Sequence, residues 1–242
     1  MAAVAKYKKE LENFASRKAP SHPIFTPLPS LLQQSTMGAH VVEPSRLWLE
    51  PLNSEEHFED YYAIQSHPLA MFWSSQTVHT TREQSLAQME SMRPSVDKPW
   101  NERWAIMLRP MATEAASPNE ENGAVKKPKP KMIGFLGIVR QDEIGYKLHP
   151  DFWGNGYMSE ALALFIDLFW KWDAMKSSTR LIAAADSENK GSLRVLEKAG
   201  FIKDRYEKEF YERAIDQGKG GKKRDLQFFY LDRPQRNDGT SN

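Results

Sequence analysis

The stretch HPDFWGNGYMSE, residues 149–160, decides how the rest of the chain is read. It follows a short strand-like segment, residues 143–148. It leads into residues 155–172, where Met158, Leu162, Phe165, Phe169 and Trp172 recur at helical spacing. Gly154 and Gly156 let the backbone bend tightly and approach a ligand, while the free N–H groups of the helix's first turn point at the same spot. Strand, glycine turn and helix start together favour a phosphate. Taken alone, a Gly-x-Gly turn can also do no more than begin a helix. Two other phosphate loops do not fit. A dinucleotide fold wants Gly or Ala where this chain has Ser159, and an acidic residue about 20 residues on at the end of the next strand. Asp173 has the spacing but precedes that strand, and Asp186 ends it 32 residues beyond Gly154. A P-loop would need a Gly-Lys-Ser/Thr ending, which is missing.

Upstream, residues 46–50 alternate as a strand that stops at Pro51, and Asn53 or Ser54 caps a helix running to about residue 66. A second helix covers residues 81–92, opened by Thr80 and Thr81 and ended by Pro94. Residues 103–109 form a strand. Residues 132–139 and 143–148 make an antiparallel hairpin through the polar turn 140–142. Downstream, residues 180–185 are continuously apolar after the first, as in a buried central strand. Asn189 and Ser192 open another helix, which Gly200 closes, with Phe201 folding back on Leu196 in a Schellman cap. Two last strands, 208–212 and 226–231, flank a Gly/Lys loop at 217–224.

Composition bounds the chemistry. Among 242 residues there is no cysteine, which removes disulfides, thiolate metal sites and any cysteine acyl carrier. With 33 Lys+Arg against 32 Asp+Glu, the formal charge of +1 speaks against a broad nucleic-acid-binding face. With 40% hydrophobic residues the chain can fill one core, and no run reaches the roughly 20 apolar residues of a membrane span. Residues 1–44 read as an N-terminal extension. Val4, Tyr7, Leu11 and Phe14 give a short amphipathic helix over residues 4–18, and five prolines follow within residues 19–44. The extension has neither an apolar signal core nor the acid-poor character of a transit peptide, so the cytoplasm is the expected location. The folded domain is expected over residues 45–235 with a disordered insertion at about 111–130, and residues 236–242 form a flexible tail.

Residues 143–161, EIGYKLHPDFWGNGYMSEA, resemble the strand-four and Gly-loop signature of the GNAT superfamily of acetyl-CoA-dependent N-acetyltransferases, in particular its RimJ/RimL-like branch. Residues 189–201, NKGSLRVLEKAGF, are similar to the second signature of that branch, and the order of elements over residues 46–232 matches as well. The resemblance implies an α/β (α+β) fold with a mixed, mostly antiparallel central sheet splayed between strands 4 and 5 and flanked by helices. It implies that acetyl-CoA is the co-substrate, with its pyrophosphate on the amides of Trp153, Gly154, Asn155, Gly156, Tyr157 and Met158. Pantetheine would then lie along Tyr146, Lys147 and Leu148, and Asn189 and Ser192 would make polar contacts to it. Simple helix capping is the competing role for that last pair. Two positions depart from the pattern. Asp151 stands where a Gln or Arg is common, and is expected to face outward or to cap; Leu196 stands where many relatives carry a tyrosine acid.

The implied reaction is direct attack of a neutral amine on the thioester, with backbone N–H groups steadying the developing oxyanion. Glu143 is the first candidate for the base and Asp142 the second, although each is also an ordinary carboxylate at a strand end. The loop at 68–73 and the last hairpin would select the acceptor. Phe72 and Trp73 either line an amine pocket by cation–π contact or plug the core. The basic residues of 219–224 either draw in an acidic acceptor or form a solvated tip. The six histidines show no metal spacing, and His149 alone adjoins the Gly loop. The expected partners are acetyl-CoA and an amine, with no metal, nucleic acid or membrane, and the extension can support a homodimer.

Overall fold

A computed structural model describes residues 45–110, 130–218 and 222–235. The N-terminal extension, the C-terminal tail and all of the expected insertion except Pro130 lie outside the described residues. In chain order the elements are β1 (Leu47–Pro51), α1 (Ser54–Gln65), α2 (Arg82–Ser91), β2 (Arg103–Leu108), β3 (Lys131–Arg140) and β4 (Glu143–Leu148). These are followed by α3 (Tyr157–Lys171), β5 (Arg180–Asp186), α4 (Lys190–Lys198), β6 (Ile202–Tyr211) and β7 (Arg224–Asp232). One seven-stranded sheet runs β1-β2-β3-β4-β5-β7-β6. Every neighbouring pair is antiparallel except β4 and β5. This is the mixed, mostly antiparallel sheet expected from the sequence.

Local chemistry explains the boundaries. The Asn53 side chain accepts the Glu56 N–H at 2.9 Å to start α1, and Thr81 with Gln84 forms a capping box on α2. Pro51, expected to stop the first strand, is its last residue. β1 is an edge strand and pairs on one side only, so a missing N–H is tolerated there. Helix α4 ends as its sequence predicts: Gly200 has φ +86°, its N–H reaches Glu197 O at 3.1 Å, and Phe201 N–H reaches Leu196 O at 3.1 Å. Phe201 and Leu196 are both buried in the main core.

The sheet separates two apolar clusters. Below it, α3 sets Ala161, Leu162, Phe165 and Phe169 against Ile106, Leu136, Ile144, Leu181 and Phe229. Above it, Tyr61 and Ile64 of α1 and Met89 of α2 cover Ala105, Met107, Met132 and Phe135. Met132 and Phe135 share the upper face despite their odd spacing, because a bulge in β3 shifts the register between Ile106 and Met107 of β2. Among the described residues no helix is long and apolar enough to cross a membrane.

Candidate functional site

The site begins where β4 and β5 part. Their parallel ladder holds only Glu143 to Ile182 and Ile144 to Ala183, and beyond these pairs the strands diverge toward Leu148 and Asp186. His149 N–H donates to Ile133 O at 2.9 Å, so by strand alternation residues 145, 147 and 149 turn their peptide groups to β3, while 144, 146 and 148 turn theirs to the seam. Leu148 O there accepts the indole N–H of Trp153 at 2.9 Å. Tyr146 therefore presents its main-chain N–H and C=O along the opening. Of the three residues expected to flank pantetheine, Tyr146 and Leu148 face the seam with their backbone and Lys147 does not.

The Gly loop closes one end of this opening. A short turn, Pro150–Phe152, leads in, and Trp153 N–H is already bonded to Pro150 O at 3.1 Å. Gly154 and Gly156 both sit in the left-handed region, at φ +79° and +80°, which other residues adopt only with strain. Gly156 is the N-cap of α3 and makes no side-chain cap. The other three described α-helices are capped by Asn53, Thr81 and Asn189. Helix α3 thus leaves its first-turn N–H groups, Tyr157 and Met158 among them, without a side-chain acceptor, at the positive end of a fifteen-residue helix. Asn155 braces the turn from within by donating to Trp153 O at 3.1 Å. Asp151 has its side chain 75% exposed, with its carboxylate 3.5 Å from His149 Nδ1.

On the far side of the opening, Asn189 accepts the Ser192 N–H at 3.1 Å, so its side chain serves as a cap. Ser192 Oγ meets the Tyr146 hydroxyl at 2.6 Å, which ties α4 to β4 below the seam. Burial pushes the Tyr146 phenol upward and keeps it protonated. Leu196 is fully buried in the core.

The upper face at the same end is rich in polar groups. Asp186, ending β5, accepts two hydrogen bonds from Arg224 at 2.9 Å, one from Tyr211 at 2.7 Å and one from Glu188 N–H at 2.8 Å, which fills its lone pairs. Arg224 lies 5.5 Å from the Trp73 ring; Arg213 lies 5.5 Å from the same ring and 4.4 Å from Phe72. The aromatic pair, read as either an amine pocket or a core plug, faces two of the chain's own guanidinium groups, and Phe72 is buried. Arg224, expected at a solvated tip, is ion-paired instead. Lys147 is half-buried as a residue, yet its ammonium is enclosed by Gln65 Oε1 and Met71 Sδ, each at 2.7 Å, and among the described residues no carboxylate pairs with it. Burial pushes its pKa down to about 7.

The candidate bases lie at the opposite, closed end of the seam. Glu143 receives two hydrogen bonds from Arg140, at 2.8 and 2.6 Å. Asp142 accepts the Ser178 hydroxyl, and its own carbonyl accepts Ile182 N–H at 2.6 Å. His149 stacks edge-on to His67 at 5.1 Å, and burial lowers its pKa. Among the described residues, Glu50, Glu56 and His57 bring ligand-type atoms within 4.8 Å of one another. Asn53 N–H donates to His57 Nδ1 at 3.2 Å, so Nε2 carries the hydrogen and gives it to Glu50 at 2.8 Å, leaving no imidazole lone pair for an ion.

Sequence reasoning missed three participants. Arg46 reaches the Gly loop from β1's approach, and only distance in space reveals it. The Asp186–Tyr211–Arg224 cluster joins three segments, its one local signal being a carboxylate at the end of an apolar strand. The enclosure of the Lys147 ammonium depends on α1 and has no signal in the alternation of β4.

A family profile described as the acetyltransferase (GNAT) domain matches residues 46–202. Solved structures share the fold. One is a GNAT-family acetyltransferase from Bacillus anthracis, 19% identical, covering 78% of this chain and 95% of that chain with a TM-score of 0.56. The ribosomal-protein-S5-alanine acetyltransferase from Vibrio fischeri is 20% identical, covering 83% and 98% with a TM-score of 0.54. The spermidine N-acetyltransferase from Vibrio cholerae, in complex with CoA and spermine, is 11% identical, covering 77% and 95% with a TM-score of 0.55. A comparison with curated proteins finds no match.

Proposed function

Because the chain belongs to the GNAT acetyltransferase family, we propose that it transfers an acetyl group from acetyl-CoA to a primary amine, on a small molecule or a protein N-terminus, by direct attack in a ternary complex. The observation that carries this reading is α3: among the described α-helices it alone opens without a side-chain cap, on two left-handed glycines, beside a sheet that is split. These features suit a substrate with a pyrophosphate at one end and an amide-bearing arm at the other. Gly154, Asn155, Gly156, Tyr157 and Met158 would give their N–H groups to the pyrophosphate. Tyr146 would pair its main chain with the arm, as a neighbouring strand would. When bound, acetyl-CoA supplies an acyl carbon already activated by a good leaving group. Glu143 would take the amine's proton, directly or through water, once the carboxylate is free of Arg140. A RimJ/RimL-like branch is part of this reading and is supported by the quoted motifs and by the Vibrio fischeri neighbour.

Buried Leu196, and Glu143 clamped by Arg140, favour a second reading: an acyl-CoA-binding protein without catalysis. Calorimetry with acetyl-CoA, followed by CoA release across an amine panel, separates the two. The proposal expects binding, turnover, loss of both in Gly156→Trp, and in Glu143→Gln intact binding with turnover lowered at least tenfold near neutral pH. Binding without turnover selects the second reading, and no binding refutes both.

A further inference from the structure

The residue that braces the Gly loop comes from outside it. Arg46, just before β1, places its guanidinium 3.3 Å from Asn155 O, donates to Glu160 Oε2 through Nη2 at 2.8 Å and through Nε at 3.0 Å, and lies 4.6 Å over the Tyr157 ring. The peptide between Asn155 and Gly156 is trans and planar, so its N–H points opposite to its C=O. With the Asn155 carbonyl held by Arg46, the Gly156 N–H is turned away from that guanidinium. A cation on the carbonyl also polarises that amide and makes its N–H the stronger donor.

We infer that Arg46 is a positioning residue for pyrophosphate recognition: it acts through the Asn155–Gly156 peptide, fixing the direction of the Gly156 N–H, and does not itself contact the phosphates. This rests on the acetyl-CoA reading above. It also accounts for how the loop works with Asp151 where a basic residue is common. The cation that orders it is supplied behind the peptide by a segment more than 100 residues earlier in the chain.

The test compares wild type with Arg46→Ala and Arg46→Lys, using calorimetric titration with acetyl-CoA and with 3′-dephospho-acetyl-CoA, and thermal melts without ligand. The expected result for Arg46→Ala is an equal loss of about tenfold for both ligands. Arg46→Lys, which keeps one donor for the carbonyl but loses the two-pronged grip on Glu160, should recover most of the affinity even though its ligand-free melting point falls with that of Arg46→Ala. Three results would overturn the inference: unchanged affinity in Arg46→Ala, a loss confined to the ligand bearing the 3′-phosphate, or equal losses in the Lys and Ala variants. Failure of the wild type itself to bind would refute the acetyl-CoA reading, a distinct outcome.

Discussion

β3 and β6 are both ten residues long and belong to the same sheet, yet they are built oppositely. In β3, residues 132–138 are buried, under α1 on one face and α3 on the other. β6, on the outer edge, is exposed over most of its length, with Ile202 54% and Phe210 53% accessible. β3 carries glycines where strands approach closely. β6 carries charges and two register breaks, with Glu209 at φ +50°, devices that blunt an edge against further pairing. The covered half of the sheet holds β4 between packed neighbours, while β6 at the edge meets solvent.

The largest test of this contrast is Gly134→Val. An added Cβ would overlap the Lys147 carbonyl and come within 2.8 Å of Leu148 Cδ1, pushing β4 off β3. A loss of about 3 kcal/mol of stability is expected in chemical denaturation, together with weaker acetyl-CoA binding. A variant as stable as wild type would show that β3 is less tightly packed than the contrast requires.

Lys147→Met probes a lysine ammonium enclosed beneath the helices of the covered half. Its pKa in the fold, about 7, lies below the unfolded value near 10.5. Between those pH values the unfolded chain binds the proton and the folded chain does not, so stability rises with pH across the window. Below pH 7 both states are protonated and the fold bears the full cost of the buried charge. Lys147→Met should therefore stabilise the protein by about 1 kcal/mol at pH 6 and flatten the rise between pH 7 and 10. An unchanged slope in pH-dependent denaturation would mean the ammonium reaches water. The smallest effect belongs to the edge: Ile202→Thr should shift stability by no more than about 0.5 kcal/mol, and a larger loss in the same assay would mean that β6 is covered in solution.

The same contrast explains what could be read in the sequence. β3 was legible to within a residue at each end, because burial on both faces writes an unbroken apolar run. β6 was recognised only over residues 208–212 and begins at Ile202, because Lys203, Asp204 and Arg205 carry no core-facing alternation. The Gly loop and the Schellman cap were legible because left-handed backbone demands glycine locally. Arg46, Asp186 with Tyr211, and the enclosed Lys147 were not, since their roles arise from contacts between distant segments and leave no periodic trace.

The two ladder pairs that join β4 to β5 have a thermodynamic consequence. Across the rest of that boundary the halves of the sheet are held by packing rather than by peptide pairing. A ligand laid along the gap and bonded to both sides binds the folded chain and has no site on the unfolded one. At a hundredfold excess over its dissociation constant it adds about 2.7 kcal/mol to the unfolding free energy. If acetyl-CoA binds there as proposed, the protein's melting temperature also gauges how much acyl donor surrounds it.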